Sequence, residues 1–175
     1  MQIVFIRHSM TAGNLERRYI GCRTDEPLCE AGISLAQQKT AEIRQTFPMP
    51  EVVLTSPMRR CVQTAEILFP DTPREIVYGL QECDFGDFEG KNYAELSGDP
   101  AYQAWIDSGG TLAFPGGESR AAFLQRCCQA LEQALQRQQQ WYTAVRSWLC
   151  FLHWKNSKSR TFRGRQDTVN RSSVL

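Results

Sequence analysis

Apolar runs separated by helical stretches predict an α/β domain with a mostly parallel sheet. Three observations carry this. Gln2–Arg7 and Glu51–Ser56 (EVVLTS) are β-branched and apolar without polar alternation, as in strands buried on both faces. Helix-period stretches follow each of them. The chain has 175 residues, enough for one domain of ordinary size.

Each element has a local reason. Gln2–Arg7 reads as the first strand, and polar, glycine-containing sequence follows from His8 to Asn14. A helix is expected from about Ile33 to Phe47, with Ala36, Ile43 and Phe47 on one face; Pro48 and Pro50 stop it. Glu51–Ser56 is the second strand. Ser56-Pro57 reads as an N-cap with proline at the first helical position, opening a helix to about Leu68. Arg74–Tyr78 is a third short strand, and Leu80–Gly98 is loop-rich. A helix is expected over Pro100–Ile106. Another runs from Ser119 to about Gln139, with an apolar stripe at Phe123, Cys127, Ala130, Leu131, Ala134 and Leu135.

Composition excludes several classes. Hydrophobic residues make up 42% and charged residues 22%, an ordinary globular balance that argues against a disordered or fibrous chain. No apolar run reaches the roughly 18 residues of a membrane helix. The N-terminus has no basic segment and no cleavage-site pattern, so no secretory signal is expected. Seven cysteines without a C-x-x-C pair point to reduced thiols and a cytoplasmic protein. Metal-type Cys/His spacing is absent. Residues 1–145 carry 13 basic and 18 acidic side chains, which gives no reason to expect nucleic acid. Residues 146–175 carry 7 basic residues against the single Asp167.

Three segments carry chemistry. In open α/β sheets, ligands bind beyond the carboxyl ends of the strands. Arg7-His8 stands at such an end, where a neutral imidazole can act as a nucleophile and a guanidinium fork suits phosphate oxygens. Thr11 and Asn14 add neutral donors. Taken alone, a structural histidine is the ordinary reading. Ser56–Ala65 starts a helix at the end of the second strand, where N–H groups favour anions and an arginine would complete a phosphate clamp. Leu80–Gly90 holds Glu82, Asp84, Asp87 and Glu89 among hydrophobic residues; burial would fit one of them to be a general acid.

Together these segments resemble the histidine phosphatase superfamily, in its phosphoglycerate mutase-like branch. The R-H-G-x-T-x-x-N motif appears as Arg7-His8-Ser9-Met10-Thr11-Ala12-Gly13-Asn14, with Ser9 in place of glycine. G-x-x-D-x-P-L appears at Gly21–Leu28 with one extra position, and Gly32 follows. S-x-L-x-R-A-x-Q-T-A aligns with Ser56, Met58, Arg60, Cys61, Gln63, Thr64 and Ala65, selecting Arg60 over Arg59. L-x-E-x-D-F-G-D-W-E-G aligns with Leu80 to Gly90, with Phe88 in place of tryptophan, and P-G-G-E-S matches Pro115–Ser119.

The resemblance implies a three-layer α/β/α sandwich over residues 1–145, incomplete at the C-terminus. It implies phosphoryl transfer through His8 as a phosphohistidine, with Glu82 as acid and base. Arg7, Thr11, Asn14, Arg60 and a second histidine would bind the phosphoryl oxygens, with no metal and no cofactor. The substrate would be a small-molecule phosphate ester, such as an α-ribazole phosphate; a phosphoprotein is the weaker reading. Hydrolase is preferred to mutase because the long insertions of mutases are missing. Tyr102, Trp105 and Phe114 fall where a lid would lie. Ser9 is expected to strain the backbone, and so to slow the reaction, if the position needs positive φ.

The second histidine is expected at position 148, which is Trp148. One reading makes His153, five positions on, the displaced second histidine. The other treats residues 146–175 as a frameshifted tail. Ser147-Trp148 encoded TCA-TGG would hide a His-Gly codon pair one nucleotide out of frame. The Trp148–Trp154 run would then pair in place of the native strand. On that account the chain would be a remnant, or a phosphate-binding pseudoenzyme without turnover.

Overall fold

The computed structural model describes residues 2–141 and 148–150. Four short strands form one parallel sheet in the order β1-β4-β2-β3, where β1 is Ile3–Phe5, β2 is Val53–Thr55, β3 is Arg74–Ile76 and β4 is Trp148–Cys150. Val4 aligns with Leu149, Leu149 with Val53, and Val53 with Arg74. The apolar runs extend beyond their hydrogen-bonded ladders: Ile6 and Ser56 lie outside them, yet each is only 1% exposed.

Five helices belong to the described residues: α1 (Ala12–Leu15), α2 (Glu30–Thr46), α3 (Arg59–Leu68), α4 (Pro100–Asp107) and α5 (Arg120–Trp141). Short 3-10 turns cover Tyr78–Leu80 and Gly86–Phe88. Side-chain alternation along β2 separates two cores. Val53 packs with Val4, Ile43 of α2, and Cys61, Ala65 and Leu68 of α3. Leu54 packs in the other core with Leu80, Phe88, Phe114, and Phe123, Cys127 and Ala134 of α5. Helices therefore cover both faces of the sheet, giving the three-layer α/β/α sandwich.

Two expected helix starts move. α2 begins at Glu30 rather than Ile33. α3 begins at Arg59, and its N-cap is Met58, not Ser56. The Ser56 hydroxyl accepts the Met58 N–H over a long 3.4 Å. The cap comes from a distant loop instead: Asp25 accepts the Arg59 N–H at 2.7 Å. A carboxylate there satisfies an orphan donor and complements the helix dipole. That first-turn N–H, expected to attract a ligand anion, is met by the protein's own.

β4 lies between β1 and β2 and runs parallel to both, so its C-terminal end opens on the same rim as theirs. The expected pairing of the Trp148 run is present for Trp148–Cys150. His153 lies outside the described residues.

Helix α1 ends in a tight reversal. The Arg18 N–H donates to the Gly13 carbonyl (2.9 Å) and the Arg17 N–H to the Asn14 carbonyl (3.1 Å), leaving Arg17 at φ 56. This position favours glycine, because a Cβ crowds the following carbonyl in the left-handed region. Arg17→Gly is therefore expected to raise the unfolding free energy by about 1 kcal/mol, measured by urea denaturation; equal or lower stability would contradict it.

Candidate active site

Apart from Thr72, which precedes β3, the polar residues buried among the described residues lie at or beyond the C-terminal ends of β1 and β2. His8, Ser9 and Thr11 follow β1; Thr55 and Ser56 end β2; Arg60 and Thr64 lie on the helix after it. Burying so many polar groups is unfavourable unless each finds a partner. Their hydrogen bonds tie the three segments together.

His8 is 7% exposed, and its Nδ1 lies 2.7 Å from the Ser9 carbonyl oxygen. A carbonyl only accepts, so Nδ1 donates here, and in the neutral imidazole the lone pair lies on Nε2. Ser9 is held on every side. Its N–H donates to Thr64 Oγ1 (3.0 Å), whose hydroxyl donates to the Arg60 carbonyl (2.7 Å). The Ser9 hydroxyl donates to the Gly32 carbonyl (2.7 Å). The strain expected at Ser9 is absent: Arg17 is the described non-glycine residue with positive φ. Serine fits here with ordinary backbone and adds a bond to α2 that glycine could not make.

Thr11 and Asn14 form the capping box of α1. Thr11 Oγ1 accepts the Asn14 N–H, and Asn14 Oδ1 accepts the Thr11 N–H, both at 3.2 Å. These bonds fix the turn after the histidine.

Arg60 is 1% exposed. Its Nη1 donates to the Thr24 carbonyl (2.9 Å) and Nη2 to the Gly21 carbonyl (3.2 Å), which use part of the donor fork. Arg7 stands at the end of β1 with its Nε buried and without a hydrogen-bond partner. Burial lowers its proton affinity, and the field of Glu82 opposes that.

The four carboxylates of the 80–90 segment separate cleanly. Asp84 pairs with Arg23 at 2.7 Å, and Asp87 is exposed. Glu89 accepts the Gly21 N–H at 2.8 Å. Glu82 is half-buried, and burial pushes its carboxyl up to about 7. The Cys83 N–H, Arg60 and Arg7 pull it back, while Glu89 adds to the rise. A carboxyl that keeps its proton near neutrality beside two guanidinium groups can donate to a leaving oxygen.

Residues without an assigned role in the sequence hold this arrangement. Arg126 of α5 grips Glu118 through two nitrogens (2.8 and 3.1 Å) and donates to the carbonyls of Gly79 (2.9 Å) and Gln81 (3.2 Å), fixing the backbone that leads to Glu82. Its sequence signal is a cation beside the buried stripe positions Phe123 and Cys127. The Pro115–Gly117 turn packs on the same segment. Gly86 sits at φ 53, where a Cβ would run into the Pro115 carbonyl, and the Asp87 N–H donates to that carbonyl at 2.8 Å. The expected lid aromatics serve the core instead. Phe114 is 2% exposed and stacks on Trp105, which stacks on Tyr102. Among the described residues no group of three or more His, Cys, Asp or Glu side chains could hold a metal ion, and no helix is long and apolar enough to cross a membrane.

A parallel sheet followed at its C-terminal rim by a histidine and a helix bearing a buried arginine defines an α/β sandwich protein as a class. The family model of the histidine phosphatase superfamily (branch 1) matches residues 3–154, and the chain belongs to that family. It is 31% identical over 130 residues to adenosylcobalamin/alpha-ribazole phosphatase of Salmonella typhimurium, covering 72% of this chain and 63% of that protein. It is 29% identical over 112 residues to 2,3-bisphosphoglycerate-dependent phosphoglycerate mutase of Bifidobacterium longum, covering 59% and 45%. The chain thus spans less than two thirds of the length of either relative. Among solved structures, the alpha-ribazole phosphatase of Shigella flexneri superposes with a TM-score of 0.66 at 25% identity, over 86% of this chain and 73% of that one. A phosphoserine phosphatase mutant from Entamoeba histolytica, in complex with phosphoserine, gives 0.71 at 26%, over 87% and 74%.

Two outcomes follow from this geometry. Glu82 binds its proton more tightly folded than unfolded, so its contribution to stability is full below pH about 4.5 and is lost as pH rises through about 7. Glu82→Gln should therefore gain stability relative to wild type as pH rises through that window. Parallel curves of unfolding free energy across it would refute the shift. Ser9→Gly should lose about 1 kcal/mol with the hydroxyl bond and bring no rise in turnover; a faster variant would restore the idea of strain.

Proposed function

We propose that this chain hydrolyses a small phosphate ester through a phosphohistidine on His8. The observation that carries the reading is a strand-end imidazole that donates from Nδ1, together with a carboxyl that burial raises to about 7 against the pull of Arg60 and Arg7. His8 Nε2 attacks phosphorus and the ester P–O bond breaks. Glu82 gives its proton to the leaving alkoxide. Arg7 and Arg60 meet the charge that builds on the phosphoryl oxygens, where fixed cations stabilise the transition state. Glu82, now a carboxylate, takes a proton from water as that water attacks the phosphohistidine. The P–N bond breaks, phosphate leaves, and His8 and the Glu82 proton are restored.

The relatives named as alpha-ribazole phosphatases favour a ribosyl 5'-phosphate ester as substrate. A cytoplasmic setting suits this reading, since free thiols persist there and Cys22, Cys29, Cys61, Cys83, Cys127 and Cys128 are unpaired. The reading of residues 146–175 as out-of-frame sequence belongs to the same proposal, and resequencing the coding DNA decides it. Trp148, where the family's second histidine is expected, favours a second reading in which the site binds phosphate without turnover.

Hydrolysis of p-nitrophenyl phosphate separates the two readings. Activity that falls at least about 100-fold in His8→Ala and Arg60→Ala supports catalysis. Folded wild type that binds phosphate and turns nothing over supports the second reading. For the active chain, the rate should fall above pH about 7 as Glu82 loses its proton. α-Ribazole 5'-phosphate should be preferred to phosphoserine and 3-phosphoglycerate; equal rates on all three would remove the substrate assignment.

A further inference from the structure

We propose that Glu89 is a positioning residue of the phosphate site, holding Arg60 in place through the backbone of Gly21. This rests on the reading of Arg60 as a phosphate ligand. Glu89 Oε1 accepts the Gly21 N–H at 2.8 Å. The Gly21 carbonyl accepts from Arg60 Nη2 at 3.2 Å. The next N–H, of Cys22, donates to the Cys83 carbonyl at 3.2 Å. One stretch of backbone thus joins the guanidinium to the turn that follows Glu82, and Glu89 anchors its leading edge.

The fit leaves no slack. A Cβ on Gly21 would run into the Cys83 carbonyl, the Glu89 carboxylate and the Phe85 ring. Glu89 Oε2 is buried and has no hydrogen-bond partner. A half-satisfied buried carboxylate is unfavourable, and such groups in native proteins call for a functional reason. The carboxylate is not needed to hold its own loop, because backbone bonds do that. The Gly90 N–H donates to the Tyr19 carbonyl and the Tyr19 N–H to the Lys91 carbonyl, both at 2.8 Å. Glu89 variants should therefore fold, and their effect should fall on Arg60.

The test is calorimetric titration of inorganic phosphate into the full chain and into Glu89→Ala and Glu89→Gln, with thermal melts confirming the fold. Glu89→Ala removes the acceptor and should weaken phosphate about tenfold, the scale of one hydrogen bond to a charged group. Glu89→Gln keeps a carbonyl oxygen for the Gly21 N–H and should restore affinity to within about threefold of wild type. In turnover assays the alanine change should fall mainly on KM. Alanine with wild-type affinity, or glutamine as weak as alanine, would overturn the proposal. Phosphate binding is read without turnover. Wild type that binds phosphate but hydrolyses no ester would therefore end the catalytic reading alone, whereas wild type that binds no phosphate would overturn both.

Discussion

A guanidinium with 1% of its surface exposed is unfavourable inside a protein unless carbonyls and carboxylates meet its hydrogens. For Arg60 the answer is the loop from Gly21 to Leu28, and much of the site hangs from that loop. Its carbonyls at 21 and 24 hold the guanidinium. Its Asp25 caps the helix that carries Arg60. Its Glu26 accepts the Gly13 N–H (3.1 Å), reaching the turn beyond His8, and its Leu28 N–H donates to Gln63 on the Arg60 helix at 2.8 Å. Loosening any of these would expose or strand a buried charge, so nucleophile loop, helix and arginine are fixed as one unit.

The same burial that makes Arg60 demanding makes Glu82 useful. Burial strips water from much of the carboxyl, and the charged form is disfavoured. Two arginines and a backbone N–H pull the other way without winning. The result is a group that is unfavourable to stability in the pH range where it suits acid chemistry. The rigid surroundings carry that burden: Arg126 and Glu118 clamp the backbone before Glu82, and the Pro115–Gly117 turn packs on the residues after it.

Much was legible from local pattern. The apolar runs marked strands β1 and β2, and the helical period on α2 and α5 marked the buried faces, because those signals depend on residues a few positions apart. The motif register picked Arg60 over Arg59, and Arg60 is the one buried while Arg59 stays exposed. What misled was chemistry supplied from far away. Ser56 looks like a cap, but Asp25 has the role across 34 residues. Ser9 looks strained beside a glycine pattern, but Gly32 and Thr64 give it partners in ordinary backbone.

The sequence by itself determined the main strands and long helices, the placing of His8 just after one strand and of Arg60 on the first turn of the helix after another, since strand, turn and helix signals are local. Only the tertiary structure decided which partners the neighbouring carboxyl groups meet, and that burial raises the proton affinity of Glu82. Asp84 meets Arg23, 61 residues earlier, and Glu89 meets Gly21 across 68 residues. Glu82 accepts the Cys83 N–H at 2.9 Å and is raised by burial against the opposing fields of Arg60 and Arg7. Proton affinity follows burial and neighbouring charge, and both are set by how distant segments pack rather than by the residues alongside.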